Sequence, residues 1–356
     1  MKIILTGGGT AGHVVPNLAL VPGLLAAGFE IEYIGGKGGM EQALVEDAGI
    51  VFHAISVGKL RRYFSLKNFS DGFKVIKGVA EARKLLKKIK PNVVFSKGGF
   101  VPVPVVFAAK MAKIPVVIHE SDITVGLANR LAIPHAQKIC YVFPESLAAL
   151  PKNKAVWTGT PLRAEILGGS ALAGAKICGF EAEKPVIMVI GGSSGSASIN
   201  SLLRQALPNL ITNFNIIHVC GKGNLDESLE NSSYRQFEYI TKGIGDLFAY
   251  SKVVVSRAGS NSLAEILALN KPNILIPLPK SVSRGDQILN AQSFEKQGFS
   301  VVLTEENLSP DMLVEAINST FENRGIFRAA MAKSPAATDA SRLIIDIIKE
   351  VSAESD

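Results

Sequence analysis

Cysteine is scarce in this chain of 356 residues: there are three, Cys140, Cys178 and Cys220. They lie far apart, are odd in number and form no CxxC pair. That pattern argues against a disulfide framework or a cysteine-held zinc ion, and it fits a reducing compartment. Long apolar runs are missing as well. Residues 101–118 come nearest, but prolines, Lys110 and Lys113 interrupt them, so no segment reads as a membrane span. Met1-Lys2-Ile3-Ile4-Leu5-Thr6 leads straight into glycines, without the shape of a signal peptide. Aromatic residues make up 7% of the chain, and no RNA- or DNA-binding motif accompanies its basic residues, so nucleic acid is not an expected partner. With 47% hydrophobic and 19% charged residues the composition is that of a folded protein, and the length suggests two cores.

Short apolar runs alternate with helical patterns. Residues 2–5, 30–34, 92–95 and 115–118 read as buried strands, with helices over 18–27 and 80–89. The series restarts at 185–190, 215–219, 252–255 and 273–277. Strand–helix alternation predicts parallel sheets with crossover helices, and two series predict two Rossmann-like domains, an α/β architecture. An internal echo supports this. Thr6 leads into Gly7-Gly8-Gly9-Thr10-Ala11-Gly12, and Ile190 into Gly191-Gly192-Ser193-Ser194-Gly195. Ser96-Lys97-Gly98-Gly99 is likewise matched by Ser256-Arg257-Ala258-Gly259. The join falls within 159–184. We place domains at 1–160 and 161–337, with a last helix near 340–351 that could complete either; 338–356 is assigned to the first.

A glycine-rich turn between strand and helix lets backbone amides approach a phosphate, and the helix start favours negative charge. Gly7, Gly9 and Gly12 satisfy GxGxxG. A dinucleotide site also needs an acid at the end of the second strand, and that strand ends Tyr33-Ile34-Gly35-Gly36, with Glu32 inside it. NAD is therefore disfavoured. His13 follows the first loop, ahead of Pro16, which reads as a helix opener. A helix start disfavours imidazolium, so His13 is expected to stay neutral and fit to act as a base, or else to donate a hydrogen bond to a phosphate.

Several motifs then fall in one order. They are Gly7-Gly8-Gly9-Thr10-Ala11-Gly12-His13-Val14-Val15-Pro16, Ser96-Lys97-Gly98-Gly99-Phe100, His119-Glu120-Ser121-Asp122 with Asn129, and Gly159-Thr160-Pro161-Leu162-Arg163. Gly191-Gly192-Ser193-Ser194-Gly195, Ser256-Arg257-Ala258-Gly259 with Glu265, and Asp286-Gln287 with Asn290-Ala291 complete the set. Jointly, and over essentially the whole chain, they resemble the MurG family. The resemblance implies a GT-B fold, two Rossmann-like domains with sheets facing across a cleft. It implies an inverting transfer of GlcNAc from UDP-GlcNAc to lipid I, undecaprenyl-pyrophosphoryl-MurNAc-pentapeptide. The product is lipid II with a β1→4 bond. No cofactor and no metal are implied, since the nucleotide sugar is a substrate and no metal-binding DxD is evident.

The resemblance also assigns residues. His13 is the base. Thr10, Ala11, Gly12, Arg163, Ser193, Ile244, Glu265 and Gln287 bind UDP-GlcNAc in the C-terminal domain and at the cleft. Asp122, Asn129 and Asp286 are acceptor-side candidates, and Asp122 rivals His13 as base. This chain departs from the family at Asp122, where Asn is usual, and at Ser194 and Asp286, where Gln occurs. Two of these assignments have a plainer reading beside them. Thr160 and Pro161 look like an N-cap and first helical residue, which would put Arg163 in a first turn that favours a bound anion, or simply pair it with Glu165. Ser262-Leu263-Ala264-Glu265 reads as a capping box.

Charge is uneven. Between residues 59 and 90 there are eleven basic and two acidic residues, a local +9 in a chain of +7. Leu60, Arg61, Arg62, Tyr63 and Phe64 mix cations with apolar groups suited to an anionic membrane surface. The 80–90 helix reads instead as an ordinary one, with Ala82, Leu85, Leu86 and Ile89 towards a core. With the resemblance, this predicts a peripheral protein on the cytoplasmic face of the cell membrane, a partner in a cell-wall synthesis complex. The alternatives are another GT-B enzyme, such as a diglyceride glycosyltransferase or a UDP-GlcNAc 2-epimerase, and a non-catalytic nucleotide-sugar sensor.

Overall fold

A computed structural model describes every residue except 59–66, 193–194, 230, 241, 284, 335, 337–339 and 354–356, and of residues 67–71 it describes the backbone alone. The chain divides into two compact units, Met1–Arg163 with Asp339–Asp356, and Ala164–Thr338.

The first unit is built on seven strands: β1 (Lys2–Thr6), β2 (Glu30–Gly36), β3 (Val51–Ile55), β4 (Val93–Ser96), β5 (Val116–Glu120), β6 (Lys138–Tyr141) and β7 (Ala155–Trp157). All pair in parallel, in the order β3-β2-β1-β4-β5-β6-β7. Both faces are covered, which is why the central strands read as continuous apolar runs. On one face Ile3, Leu5, Val93 and Phe95 meet the first helix and the last one. That last helix, Ala340–Ala353, places Ile344, Ile345, Ile347, Ile348 and Val351 in this core, each burial worth roughly 1.5–3 kcal/mol. Its choice of unit could not be read from its own periodicity, because any sheet face would accept the stripe. On the other face Ala82, Leu85, Leu86 and Ile89 join Ile4, Val94 and Ile118, while Arg83, Lys84, Lys87 and Lys88 are exposed. The helix carrying them begins earlier than expected, spanning Lys67–Ile89.

The second unit has β8 (Val186–Ile190), β9 (Asn215–Val219), β10 (Tyr234–Phe237), β11 (Val253–Ser256), β12 (Asn273–Leu275) and β13 (Ser300–Val302). They too are parallel, in the order β10-β9-β8-β11-β12-β13. The strands that pattern reading missed, β3, β6, β7, β10 and β13, are short or lie at sheet edges, where one side escapes burial and the apolar run breaks up.

Both sheets reverse direction of strand order at one point, between β1 and β4 and between β8 and β11. Crevices that bind ligands lie outside the carboxyl ends of the strands at such points. The registers Thr6 to Ser96 and Ile190 to Ser256 bring each pair of strands to its end at the same level. The four turns that echo one another in sequence therefore sit at the two switch points.

Candidate active site

In the first unit the helix after β1 starts at Ala11, with Thr10 as N-cap, so His13 lies in its first turn and Pro16 is inside it. This corrects the reading of Pro16 as the opener: the Gly-rich turn is shorter than expected, and Pro16 lies past the first turn, where it leaves one backbone carbonyl without its helical donor. His13 Nδ1 and Thr10 Oγ1 are 2.8 Å apart. Burial first, and the nearby Lys97 second, lower the His13 pKa to about 4, so the imidazole is neutral at physiological pH. The second turn closes in beside it. Gly98 and Gly99 have φ of 89° and 82°, and a Cβ on Gly99 would lie 2.5 Å from the Gly8 carbonyl oxygen and 3.2 Å from His13 Nδ1. Only glycine permits both that backbone and that approach.

Beneath the turns lies a buried polar cluster. Lys97 is 1% exposed and its ammonium donates to Ser121 Oγ. Burial lowers its pKa to about 8, against the opposing pull of Glu120 and Asp122. Glu120, also buried, accepts from the Asp122 and Gly126 amides and from Asn129 Nδ2, at 3.1, 2.9 and 2.9 Å. Burial nevertheless raises its pKa. His119 Nε2 donates to the Gly159 carbonyl at 2.8 Å, and burial holds this imidazole neutral as well. Asn129 also donates to the His119 carbonyl, so its amide hydrogens serve the protein and only its carbonyl oxygen is left for a ligand. Asp122 is half-buried at the rim of this cluster.

Sequence reading missed Glu41. It is 1% exposed, and its carboxylate accepts from Gly36 N at 2.9 Å and Gly9 N at 3.3 Å, joining the first glycine loop to the turn after β2. A signal was present: an acid opening a helix straight after Gly38-Gly39-Met40. Glu32, weighed for a ribose, is instead 2.5 Å from His53 on β3.

In the second unit, Gly191 and Gly192 leave β8, and Ser196 caps the Ala197–Leu210 helix. Ser193 and Ser194 lie outside the described residues, as do Leu60, Arg61, Arg62, Tyr63 and Phe64. Glu265 lies in the Ser260–Ala268 helix, whose N-cap is Gly259. Ser262 is thus within the helix, and the capping-box reading of Glu265 is overturned. Gln287 is in the first turn of the Asp286–Lys296 helix, its Oε1 accepting from Leu278 N at 3.1 Å, with Asp286 just before it. Ile244, 8% exposed, opens the Ile244–Tyr250 helix, whose Gly245 abuts the Glu165 carbonyl oxygen so closely that a Cβ would lie 2.1 Å from it. Arg163 ends the first unit, immediately before the Ala164–Leu167 helix. Thr160 and Pro161 therefore do not start that helix. Thr160 is buried after the left-handed turn at Gly159, and the chain runs on three residues before it coils.

Residues 3–141 match the Glycosyltransferase family 28 N-terminal domain, and residues 186–347 its C-terminal domain. The chain is 58% identical over 334 residues to a protein of Clostridium botulinum (strain 657 / Type Ba4), covering 94% of each. It is 56% identical over 351 residues to one of Lachnoclostridium phytofermentans, covering 98% of this chain and 99% of the relative. Both are named UDP-N-acetylglucosamine--N-acetylmuramyl-(pentapeptide) pyrophosphoryl-undecaprenol N-acetylglucosamine transferase. Among solved structures, Acinetobacter baumannii MurG aligns with a TM-score of 0.78 at 24% identity, covering 98% of this chain and 99% of that one. A kitacinnamycin glycotransferase aligns with a TM-score of 0.74 at 13% identity, covering 98% of each. The fold is GT-B, and the chain belongs to glycosyltransferase family 28, within its MurG branch of UDP-GlcNAc-dependent transferases.

Proposed function

We propose that the protein transfers GlcNAc from UDP-GlcNAc to the C4 hydroxyl of the MurNAc unit of lipid I, with inversion, releasing UDP and lipid II in peptidoglycan synthesis. The likeness over nearly the full length to transferases named for this reaction is the observation that carries the reading. His13 Nε2 takes the hydroxyl proton while the acceptor oxygen bonds to the anomeric carbon. The bond from that carbon to the β-phosphate oxygen breaks, and its electrons leave with UDP. For Nε2 to hold the lone pair, Nδ1 must carry the hydrogen, and Thr10 Oγ1, 2.8 Å away, is placed to accept it. The first unit takes the acceptor, with Asp122 and Asn129 on it; Asp286, the remaining acceptor-side candidate, belongs to the second unit. The second takes the donor through Ser193, Ile244, Glu265 and Gln287, and Thr10, Ala11, Gly12 and Arg163 of the first unit are the further residues proposed to bind UDP-GlcNAc. Glu265 can accept from both ribose hydroxyls, one at each oxygen.

Incubation with radiolabelled UDP-GlcNAc and a short-chain lipid I analogue tests this. Label should pass to the lipid. Glu265→Ala should raise KM for UDP-GlcNAc roughly 10–100-fold, the worth of hydrogen bonds to a charged acceptor. UDP-GlcNAc binding without transfer would sink the lipid I assignment and favour the sensor.

Contact with the anionic cytoplasmic face of the membrane belongs to the same proposal. Among the described residues no helix is long and apolar enough to cross a membrane. Within the basic stretch, Phe73 and Ile76 are 73% and 69% exposed, one turn apart on the Lys67–Ile89 helix, with Lys74 and Lys77 exposed beside them. Apolar groups flanked by cations suit an interfacial helix. Phe73→Ser with Ile76→Ser should weaken binding to vesicles of anionic lipid about tenfold. Turnover of a soluble acceptor should be unchanged. Undiminished vesicle binding would remove this helix from the contact.

A further inference from the structure

Arg257 follows β11 at the switch point of the second unit, in the turn that mirrors the one holding Lys97. An arginine beside a glycine-rich loop invites the reading of a diphosphate ligand. Its surroundings oppose that. The side chain is 8% exposed. Nη2 donates to Ser196 Oγ at 2.7 Å and Ser198 Oγ at 3.0 Å. Nη1 donates to the Ile276 and Pro277 carbonyls at 3.0 and 3.3 Å and to the Glu305 carboxylate. Nε is buried from solvent and makes no hydrogen bond among the described residues. Each terminal nitrogen carries two hydrogens and these four are engaged, so the side chain cannot offer a phosphate the forked contact that arginine ordinarily makes. What the guanidinium does hold is structure. It ties the cap and first turn of the Ala197–Leu210 helix to the segments that follow β12 and β13.

We propose that Arg257, oriented by Glu305, is a positioning residue for the donor half of the reaction. It sets where the Gly195-Ser196 end of the second glycine loop stands, and thereby where the helix start meets the diphosphate, without touching the diphosphate itself. The inference rests on the reading that this unit holds UDP-GlcNAc.

The two roles predict opposite signs for a change at Glu305. Were Arg257 a phosphate ligand, Glu305→Gln would remove a competing anion and leave UDP affinity unchanged or tighter. As a positioning residue it needs its partner. Calorimetric titration of the full-length protein with UDP should then show Glu305→Gln and Arg257→Lys each weaker by about tenfold or more, the scale of a lost charged hydrogen bond. The double variant should be no worse than the weaker single, because both act through one unit. Glu305→Asp should recover part of the affinity, and KM for the lipid acceptor should stay within about twofold in all of them. If Arg257→Lys does not fold, Glu305→Gln carries the test alone. Unchanged or tighter UDP binding by Glu305→Gln would overturn the positioning role. Wild-type protein that failed to bind UDP would instead overturn the donor reading, and this inference with it.

Discussion

His13→Ala is expected to lower kcat by about 10²–10⁴-fold, or roughly 3–5 kcal/mol of transition-state stabilisation, the usual worth of a positioned general base. UDP binding should be little changed, because the proposed base serves the acceptor hydroxyl rather than the nucleotide. The pH profile gives a second and sharper readout. Burial and Lys97 set the His13 pKa at about 4, below the ordinary histidine value of 6.5. A base works in its deprotonated form, so its acid limb belongs near pH 4, and activity between pH 6 and 8 should show no limb from this residue. A limb near 6.5 that disappeared in His13→Ala would mean that His13 titrates as an exposed imidazole. If His13→Ala kept kcat within about threefold while Asp122→Asn abolished it, the base would be the carboxylate.

Gly99→Ala should cost nearly as much activity, although Gly99 carries no chemistry. Its φ of 82° alone penalises an L side chain by about 1–3 kcal/mol. The added Cβ would lie 2.5 Å from the Gly8 carbonyl oxygen and press on the His13 ring. The two turns would have to part. A displacement of about 1 Å at the base can cost about 100-fold in rate, so kcat should fall by that order with a fold still intact by circular dichroism. Measuring kcat beside the urea midpoint separates the two effects. A variant destabilised by about 1–3 kcal/mol but fully active would show that the turns separate without moving His13.

The periodicity of the chain was enough to place eight of the central strands, because a strand buried on both faces must be apolar throughout and so announces itself locally. Glycines are equally legible. Gly7 to Gly12, Gly98-Gly99 and Gly191-Gly192 stand out in the chain because close backbone approach leaves few other choices. The edge strands β3, β7, β10 and β13 were not visible, since exposure on one side relaxes the composition. Helix starts were misread at Pro16, Thr160 and Ser262 for a related reason: capping residues are cheap local signals that tertiary packing overrides.

What the amino-acid sequence determined by itself was therefore the two parallel α/β halves, the four echoing turns and the set of motifs that places the chain in its family. Only the tertiary structure decided how the charged groups are used. Glu41 reaches Gly9 from 32 residues away, and Arg257 meets Glu305 across 48. Lys97 is sealed beside Glu120, and Ala340–Ala353 returns to the sheet begun by Lys2–Thr6. A lone acid or lysine looks alike in sequence whether it faces water or a partner. Its role is set by desolvation and by the donor that arrives from a distant strand end, and those exist only once the sheet has brought the ends together.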